Sequence, residues 1–561
     1  MKSFYGVAGR VRPGETASLV SELEADGSVI EVVRMSGLEL VLADRTREEL
    51  SDWRALAPGR IAIASGRPLH PVLSTGPRIL ADLMASDLAG QDPLTEELAG
   101  EFVVAIADAP RQRLVLETDC IGLRPMFLHA SGGRVVFGSA VWPLARSGLI
   151  PREVDLDGLA AWLCFDHPLD DRTLFSAIRR IGPGRVTIDL REGAVEHSIR
   201  HDTFGDLTLG RAELADAVDA YVSESSRRIV RDERRLGCFL SGGFDSRYVL
   251  SALLDAGSEP DPIILVDAGT GDREAGQMAA DALGVHLEVK SIEGSLYDEL
   301  EEPLYPAEHG FPLTHHYPVL GLNGAPDLPP FVDGLLGDDL IRGWEYEKRI
   351  EPRGASAEVV NAGLFGNHLA LDPGILFADR RARSIRARAL DQVAGFRMNG
   401  EPEHKRAWLW VLRNRTRGYH SKNHLQYLQR AETYHPFVTP ELIKLRLGHR
   451  NELFDRELYK SILSRRGPGL ASIPHSDAFR NGRSALYDYS RSFLHRVPRT
   501  LNWALREAER VGIRRGFLAT RATAYGLGRK SDLYLMREAH RIWTLEDWLV
   551  GLGTEIAWSE L

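Results

Sequence analysis

The 561-residue chain has only three cysteines, Cys120, Cys164 and Cys238, too scattered for a disulfide framework or a metal-ligand spacing. They are expected as buried thiols in a reducing compartment. No apolar run approaches the roughly 20 residues needed to cross a bilayer, and the first residues carry no secretion signal, so the cytoplasm is the expected address. Positive charge is not in excess: a net charge of -10 argues against a general nucleic-acid or membrane-surface binder. Internal repeats and low-complexity tracts are absent as well.

What remains is an ordinary globular composition, 43% hydrophobic and 26% charged, on a chain too long for one compact core. The first 200 residues alternate short apolar runs with Gly, Pro and Asp turns. Glu101-Phe102-Val103-Val104-Ala105-Ile106-Ala107-Asp108 and Arg113-Leu114-Val115-Leu116-Glu117 are examples, and this spacing predicts a mostly β, layered domain. After Asp202-Thr203-Phe204-Gly205-Asp206 a helical period begins near Leu209 and runs towards Arg231. A strand, a glycine loop and a helix follow, then a buried strand at Ile263-Ile264-Leu265-Val266 and a helix from about Glu274 to Leu283. That is the βαβ rhythm of a parallel sheet. Residues 400–561 read as helix-rich, with a polar break at Arg480-Asn481-Gly482-Arg483.

The glycine loop carries the chemistry. Ser241-Gly242-Gly243-Phe244-Asp245-Ser246 follows an apolar strand and opens a helix, so backbone N–H groups can converge on phosphate oxygens. Ser241 and Ser246 add hydroxyl donors, and Asp245 is placed to hold a Mg²⁺ beside a departing pyrophosphate. The Lys-Ser/Thr that ends a Walker A loop does not follow these glycines, which favours cleavage of ATP between the α and β phosphates. A plain strand-to-helix turn is the bland alternative.

A β-rich N-terminal layer followed by this loop resembles the class B asparagine synthetase family, in which an Ntn-type glutaminase domain precedes an ATP-pyrophosphatase domain. Several segments carry the likeness, from residue 5 to about 480. Tyr5-Gly6-Val7-Ala8-Gly9 resembles the family's opening Cys-Gly-Ile-Ala-Gly. Leu98-Ala99-Gly100-Glu101-Phe102, Asp119-Cys120-Ile121-Gly122-Leu123-Arg124-Pro125-Met126 and Phe137-Gly138-Ser139 resemble its next conserved stretches. Asp333-Gly334-Leu335-Leu336-Gly337-Asp338-Asp339 stands where the family has Ser-Gly-Glu-Gly-Gly-Asp-Glu, and Glu432-Thr433-Tyr434-His435-Pro436-Phe437 resembles its Glu-x-x-x-Pro-Phe segment.

The resemblance implies an N-terminal Ntn-type layered α+β domain over residues 1–200. A PP-loop, adenine-nucleotide α-hydrolase-like parallel-sheet domain would span 205–485, with a helical extension over 486–561. It implies Asp245 and Asp338 as Mg²⁺ ligands, and Leu240, Ser241, Gly242, Gly243, Asp245, Ser246, Val266, Asp333 and Gly334 around ATP. Glu274 and His286 also follow family usage. Glu432 is implied as the base that takes the proton of the attacking amine, its proton affinity raised by apolar surroundings, with Tyr419, Tyr427 or Tyr434 as its support. The family's lysine after the synthetase helices has no counterpart in Ile473-Pro474-His475-Ser476-Asp477-Ala478-Phe479-Arg480, where Arg480 is the cation on offer. Arg247, directly after the loop, is expected to meet an anionic substrate or a nearby acid.

Other departures bear on the reaction. Tyr5 fills the position of the nucleophilic cysteine, Lys2 should keep Met1 in place, and the glutamine-holding segments are missing between residues 40 and 100, so glutamine hydrolysis is not expected. Leu335 replaces an acidic residue, which argues against aspartate as the acceptor. The expected activity is an ATP-dependent amide-forming ligase acting through an acyl-adenylate, with release of AMP and pyrophosphate. Its substrate would be a small molecule or peptide carrying a carboxylate and an amine, as in the β-lactam synthetases and lasso peptide cyclases, relatives that also lack the terminal cysteine. Asparagine synthesis from ammonia is the rival within the family, and a silent nucleotide-binding scaffold is the rival of another class. An RNA-thiolating enzyme would need a cysteine pair and a basic surface. Partner proteins of the same pathway and a homodimer stay compatible with the sequence.

Overall fold

In the computed structural model the described residues are 2–44, 54–88, 97–198, 209–266, 271–291, 328–343, 355–421, 431–479, 497–513 and 549–561, without positions 26, 74, 75, 371, 399 and 468, and with 349, 542, 543, 545 and 546. Their first part holds β1 (Lys2–Gly9), α1 (Ala17–Ala25), β2 (Val29–Met35), β3 (Leu38–Asp44), β4 (Arg54–Ala57), β5 (Arg60–Gly66) and α2 (Ile79–Leu88). Then come β6 (Phe102–Asp108), β7 (Arg113–Thr118), β8 (Phe127–Ser131), β9 (Arg134–Gly138), α3 (Val141–Arg146), α4 (Leu156–Phe165), β10 (Arg179–Arg180), β11 (Arg185–Asp189) and β12 (Val195–Ser198). They form two antiparallel sheets in the orders β10-β8-β9-β1-β3-β2 and β12-β11-β7-β6-β5-β4.

The apolar runs are near-continuous because both faces of the central strands are covered. In β3, Leu38, Leu40 and Leu42 meet Ile61 and Ile63 of β5 between the sheets, while Val41 and Ala43 turn to the other side, where Leu19, Leu23 and Leu144 pack. In β5, Ala62 and Ala64 face Leu80, Leu83 and Met84 of α2. Helix, sheet, sheet and helix therefore stack as four layers, the layered α+β arrangement that the family resemblance implies, with more helix than the turn spacing alone predicts.

The next part alternates helix and strand: α5 (Arg211–Asp232), β13 (Gly237–Phe239), α6 (Phe244–Asp255), β14 (Asp261–Val266), α7 (Asp272–Leu283), β15 (Glu288–Ser291), β16 (Phe331–Val332) and β17 (Thr433–Tyr434). Its strands form one parallel sheet ordered β15-β14-β13-β16-β17. Strand order reverses between β13 and β16, so a crevice opens at their carboxyl ends, the usual ligand position in an open parallel sheet.

Helices pack the two parts together. The helix Asp379–Gly395 lies against α4, where Arg388 Nη1 donates to Asp157 Oδ1 at 2.7 Å. Residues 549–561 return to the first part, with Thr554 Oγ1 donating to the Arg152 carbonyl at 2.7 Å. Cys164 and Cys238 are buried and Cys120 is half-buried, all three as free thiols. No helix among the described residues is long and apolar enough to cross a membrane.

Candidate active site

Ser241–Gly243 leaves the carboxyl end of β13 and enters α6 at Phe244. The Ser241 N–H donates to Ser246 Oγ at 3.0 Å and the Gly243 N–H to Ser241 Oγ at 3.2 Å, while the Gly242 N–H reaches Asp272 Oδ1 at 3.3 Å. The loop thus turns its donors onto its own serines and one acid, groups that phosphate oxygens can replace. Gly242 is needed for space: a Cβ there would stand 2.7 Å from Ser476 Cβ.

Across the crevice, the turn after β16 presses two glycines onto Asp245. A Cβ at Gly334 would lie 2.5 Å from Asp245 Cβ, and one at Gly337 would lie 2.5 Å from Asp245 Oδ1 and 2.7 Å from the Tyr459 hydroxyl. Asp245 is enclosed, with the Tyr459 hydroxyl as the hydrogen-bonding neighbour that favours its ionised form. Burial, and then the charge of Asp338, push its carboxyl well above the usual carboxylate range. Burial raises Asp338 too, although Arg342 Nη2 donates to its Oδ2 at 2.7 Å. The stretch Asp338–Arg342 is a π-helical turn, in which the Gly343 N–H bonds the Asp338 carbonyl at 2.8 Å.

Two carboxylates, one of them enclosed, suit a hard, oxygen-seeking cation. Mg²⁺ takes one or two carboxylates and completes its shell with water and phosphate oxygens. Among the described residues no set of three or more His, Cys, Asp or Glu could hold a metal alone, so the phosphates would have to supply the remaining oxygens.

The profile of the glutamine amidotransferase domain matches residues 83–199. Over 176 residues the chain is 28% identical to the glutamine-hydrolyzing asparagine synthetase 3 of Bacillus subtilis (strain 168), a stretch covering 30% of this chain and 27% of that protein. These two likenesses support an asparagine synthetase-like family. The aligned part thus spans about a quarter of that relative's length. Two solved structures are similar more loosely. One is the glutamine phosphoribosylpyrophosphate amidotransferase from B. subtilis complexed with ADP and GMP, with 11% identity and a TM-score of 0.23 over 51% of this chain and 65% of that one. The other is an allosteric regulatory enzyme of purine biosynthesis, with 10% identity and a TM-score of 0.22 over 51% of this chain and 80% of that one.

The remaining expected residues separate. Leu240 is buried, its N–H bonded to the Ile263 carbonyl at 2.9 Å, and Val266 ends β14 half-buried beside it. Asp333 opens the turn that carries Gly334 and Asp338, and its Oδ1 accepts from the Leu335 N–H at 2.9 Å. Glu274 and His286 are exposed. Arg480 and Tyr427 lie outside the described residues. His475 is the residue that the same segment brings near Asp338, where it opposes the rise in that carboxyl.

Glu432 departs from expectation in its surroundings. Its Oε2 lies 3.6 Å from Arg124 Nη2 of the first part. Burial raises the Glu432 carboxyl, but Arg124 and Arg67 outweigh it and hold the group below its ordinary value. Guanidinium groups, not an apolar wall, surround it. Tyr434 does not reach for Glu432: its hydroxyl donates to Asp232 Oδ2 at 2.5 Å. The Tyr419 ring lies under the Arg415 guanidinium, 4.6 Å from its centroid.

Arg247 meets neither an exposed anion nor an acid in any described bond. Fully buried, it donates to the carbonyls of Gly242 (2.7 Å), Ile473 (2.8 Å), Pro474 (2.8 Å) and Leu470 (3.3 Å). Burial lowers its pKa to about 10. It clamps the segment 470–474 onto the back of the loop. Sequence reasoning also missed His435, whose Nδ1 lies 2.5 Å from Asp333 Oδ1 and whose Nε2 lies 3.2 Å from Glu101 Oε2. Its place in the Glu-x-x-x-Pro-Phe segment was the only available signal. A cavity of about 640 Å³ opens elsewhere, at the seam of the two parts near Arg180, Arg397 and Arg417.

Proposed function

We propose that this chain is an ATP-dependent amide-forming ligase that activates a substrate carboxylate as an acyl-adenylate, releases AMP and pyrophosphate, and does so without hydrolysing glutamine. The observation that carries this reading is the enclosed Asp245 facing Asp338 beside a serine-glycine loop. Mg²⁺ between these acids and the phosphates would neutralise the charge of the departing pyrophosphate. The loop N–H groups and the Ser241 and Ser246 hydroxyls would bind phosphate oxygens, and the start of α6 adds its dipole. Leu240 and Val266 would exclude water on the nucleoside side. Arg342, bonded to Asp338, supplies positive charge beside the same site.

Against glutamine hydrolysis stands Tyr5, a buried residue in the middle of β1, paired with Val41 of β3 and Gly138 of β9. Its ring covers Gly138, where a Cβ would lie 2.1 Å from Tyr5 Cδ1. The acceptor amine would therefore come from ammonia or from the substrate itself, in a small molecule or peptide.

Glu432 enters this proposal as an ionised carboxylate able to accept the proton of the ammonium formed when the amine attacks. Glu432→Gln should then leave adenylation intact and slow product formation by about 10²-fold. Equal loss of both steps would assign it to the Arg124 pair alone.

The deciding experiment is exchange of labelled pyrophosphate into ATP, run with a panel of carboxylates and with product nucleotide identified. Exchange with AMP as product supports the ligase. ADP as the product, or no exchange with any acid, overturns it, and exchange dependent on aspartate would redirect it to asparagine synthesis from ammonia.

A further inference from the structure

A domain with Tyr5 in the nucleophile position is still joined to the synthetase half by buried charge. His435 and Glu101 have side-chain exposures of 0% and 1%, and the imidazole is held at both nitrogens, by Glu101 from the first part and Asp333 from the second. As an imidazolium, His435 donates from Nδ1 to Asp333 and from Nε2 to Glu101, so neither acid can turn away without leaving a buried charge unpaired. Burial lowers the imidazole's proton affinity, but the two acids outweigh it and raise the pKa to about 10.

Glu101 is itself fixed: its Oε1 lies 3.5 Å from Arg124 Nη1, and Arg124 Nε donates to Ser65 Oγ at 3.0 Å. The neighbouring backbone is docked as well, the Gly100 N–H donating to the Val438 carbonyl at 2.8 Å. On the other side, Asp333 Oδ1 also accepts the Leu335 N–H, which shapes the turn running through Gly334 and Gly337 to Asp338. A chain of contacts thus leads from the amidotransferase-like part to the turn that presses on Asp245.

We propose that Glu101 is a positioning residue for the nucleotide site, acting through His435 to fix Asp333 and the turn that carries Asp338, so that the first part completes the synthetase site without doing chemistry. This rests on the nucleotide reading above. It gives the retained domain a task that needs no nucleophile.

The test is Mg·ATP affinity by titration calorimetry on the full chain, with thermal melts run in parallel. Glu101→Gln keeps an acceptor at that place but removes its charge. It should weaken binding about tenfold, as should Asp333→Asn, and the double variant should be no weaker than about twice either single one, because both cut one link. Asn414→Ala removes a different bond across the same seam, from the Asp170 N–H to Asn414 Oδ1 at 2.6 Å, and should leave the affinity within about twofold of wild type.

Unchanged affinity in Glu101→Gln, additive losses in the double variant, or an equal loss in Asn414→Ala would each overturn the link. If Glu101→Gln does not fold, His435→Gln paired with Asp333→Asn reads the same additivity. A wild-type protein that binds no Mg·ATP sinks the nucleotide reading itself, whereas wild-type binding with an unaltered Glu101→Gln constant sinks the positioning link alone.

Discussion

Two buried charge clusters in this molecule behave in opposite ways. Around Glu101, Arg124, Glu432, Asp333 and His435, every resolved shift favours the charged form despite burial: His435 is raised and Glu432 is lowered. At Asp245 and Asp338 burial wins, and both carboxyls are pushed towards the neutral form. With Arg67 beside Glu432, the first cluster sets three cations against three acids, whereas in the second Asp245, Asp338 and the neighbouring Asp339 face the guanidinium of Arg342. Self-compensation marks architecture, and a surplus of one sign in an enclosed place marks a missing partner.

Asp245→Asn breaks this comparison most sharply. It should lower pyrophosphate formation by about 10³-fold or more through loss of the metal ligand. Because the ionised Asp245 is unfavourable without a cation, the same variant should melt at a higher temperature than wild type in Mg²⁺-free buffer. A carboxyl with a raised folded pKa stabilises the fold as pH falls through that value, so the metal-free wild type should approach the variant on acidification. A variant that loses both activity and stability would place Asp245 among ordinary core contacts.

The opposite behaviour is expected of the closed cluster. His435→Gln leaves Asp333 without its imidazolium and Glu101 with Arg124 alone, and should cost about 3–5 kcal/mol in urea unfolding. The pH dependence has its own sign. Since His435 is raised from 6.5 to about 10 in the folded protein, its contribution is whole below pH 6.5 and is lost as pH climbs through 10. Wild-type stability should therefore fall across that window and His435→Gln should be nearly flat in it. Parallel profiles would show that another group carries the slope.

How much of this was legible in the sequence follows from where each interaction partner lies. The loop could be read because its chemistry needs two serines, two glycines and an acid within six consecutive positions, with strand and helix signals on either side. The β-rich first part could be read from short apolar runs such as those that form β6 and β7. Asp338 was reachable only through the family likeness, since nothing local distinguishes it from a solvated turn. Glu432 was assigned an apolar environment because its partners Arg124 and Arg67 come from distant strands and loops, and no local pattern records that meeting. Likewise His435 and Glu101 are 334 positions apart, and Arg247 finds its acceptors 223 to 227 positions away in the segment 470–474. Local pattern reports what one element does alone; buried charge is decided by which elements are brought together.

The smallest effect concerns the turn that joins the two clusters. Leu336 has φ +78°, a left-handed backbone conformation that costs a branched residue about 1–2 kcal/mol, yet it is buried at 4% exposure and packed in the main core. Leu336→Gly removes that strain but also removes buried side-chain area, a loss of about 2–5 kcal/mol in comparable truncations. The net destabilisation should be about 1–3 kcal/mol, smaller by about 1 kcal/mol than for Leu340→Ala, a buried leucine with no such strain. Since strain of this kind persists only where surrounding contacts over-determine it, a stiff turn at Leu336 would help to hold Asp338 opposite Asp245. Mg·ATP affinity in Leu336→Gly should therefore fall by more than its modest stability loss would suggest, while Leu340→Ala loses stability and keeps its affinity. Equal behaviour of the two variants in both measurements would mean that the turn's conformation has no bearing on the acid pair.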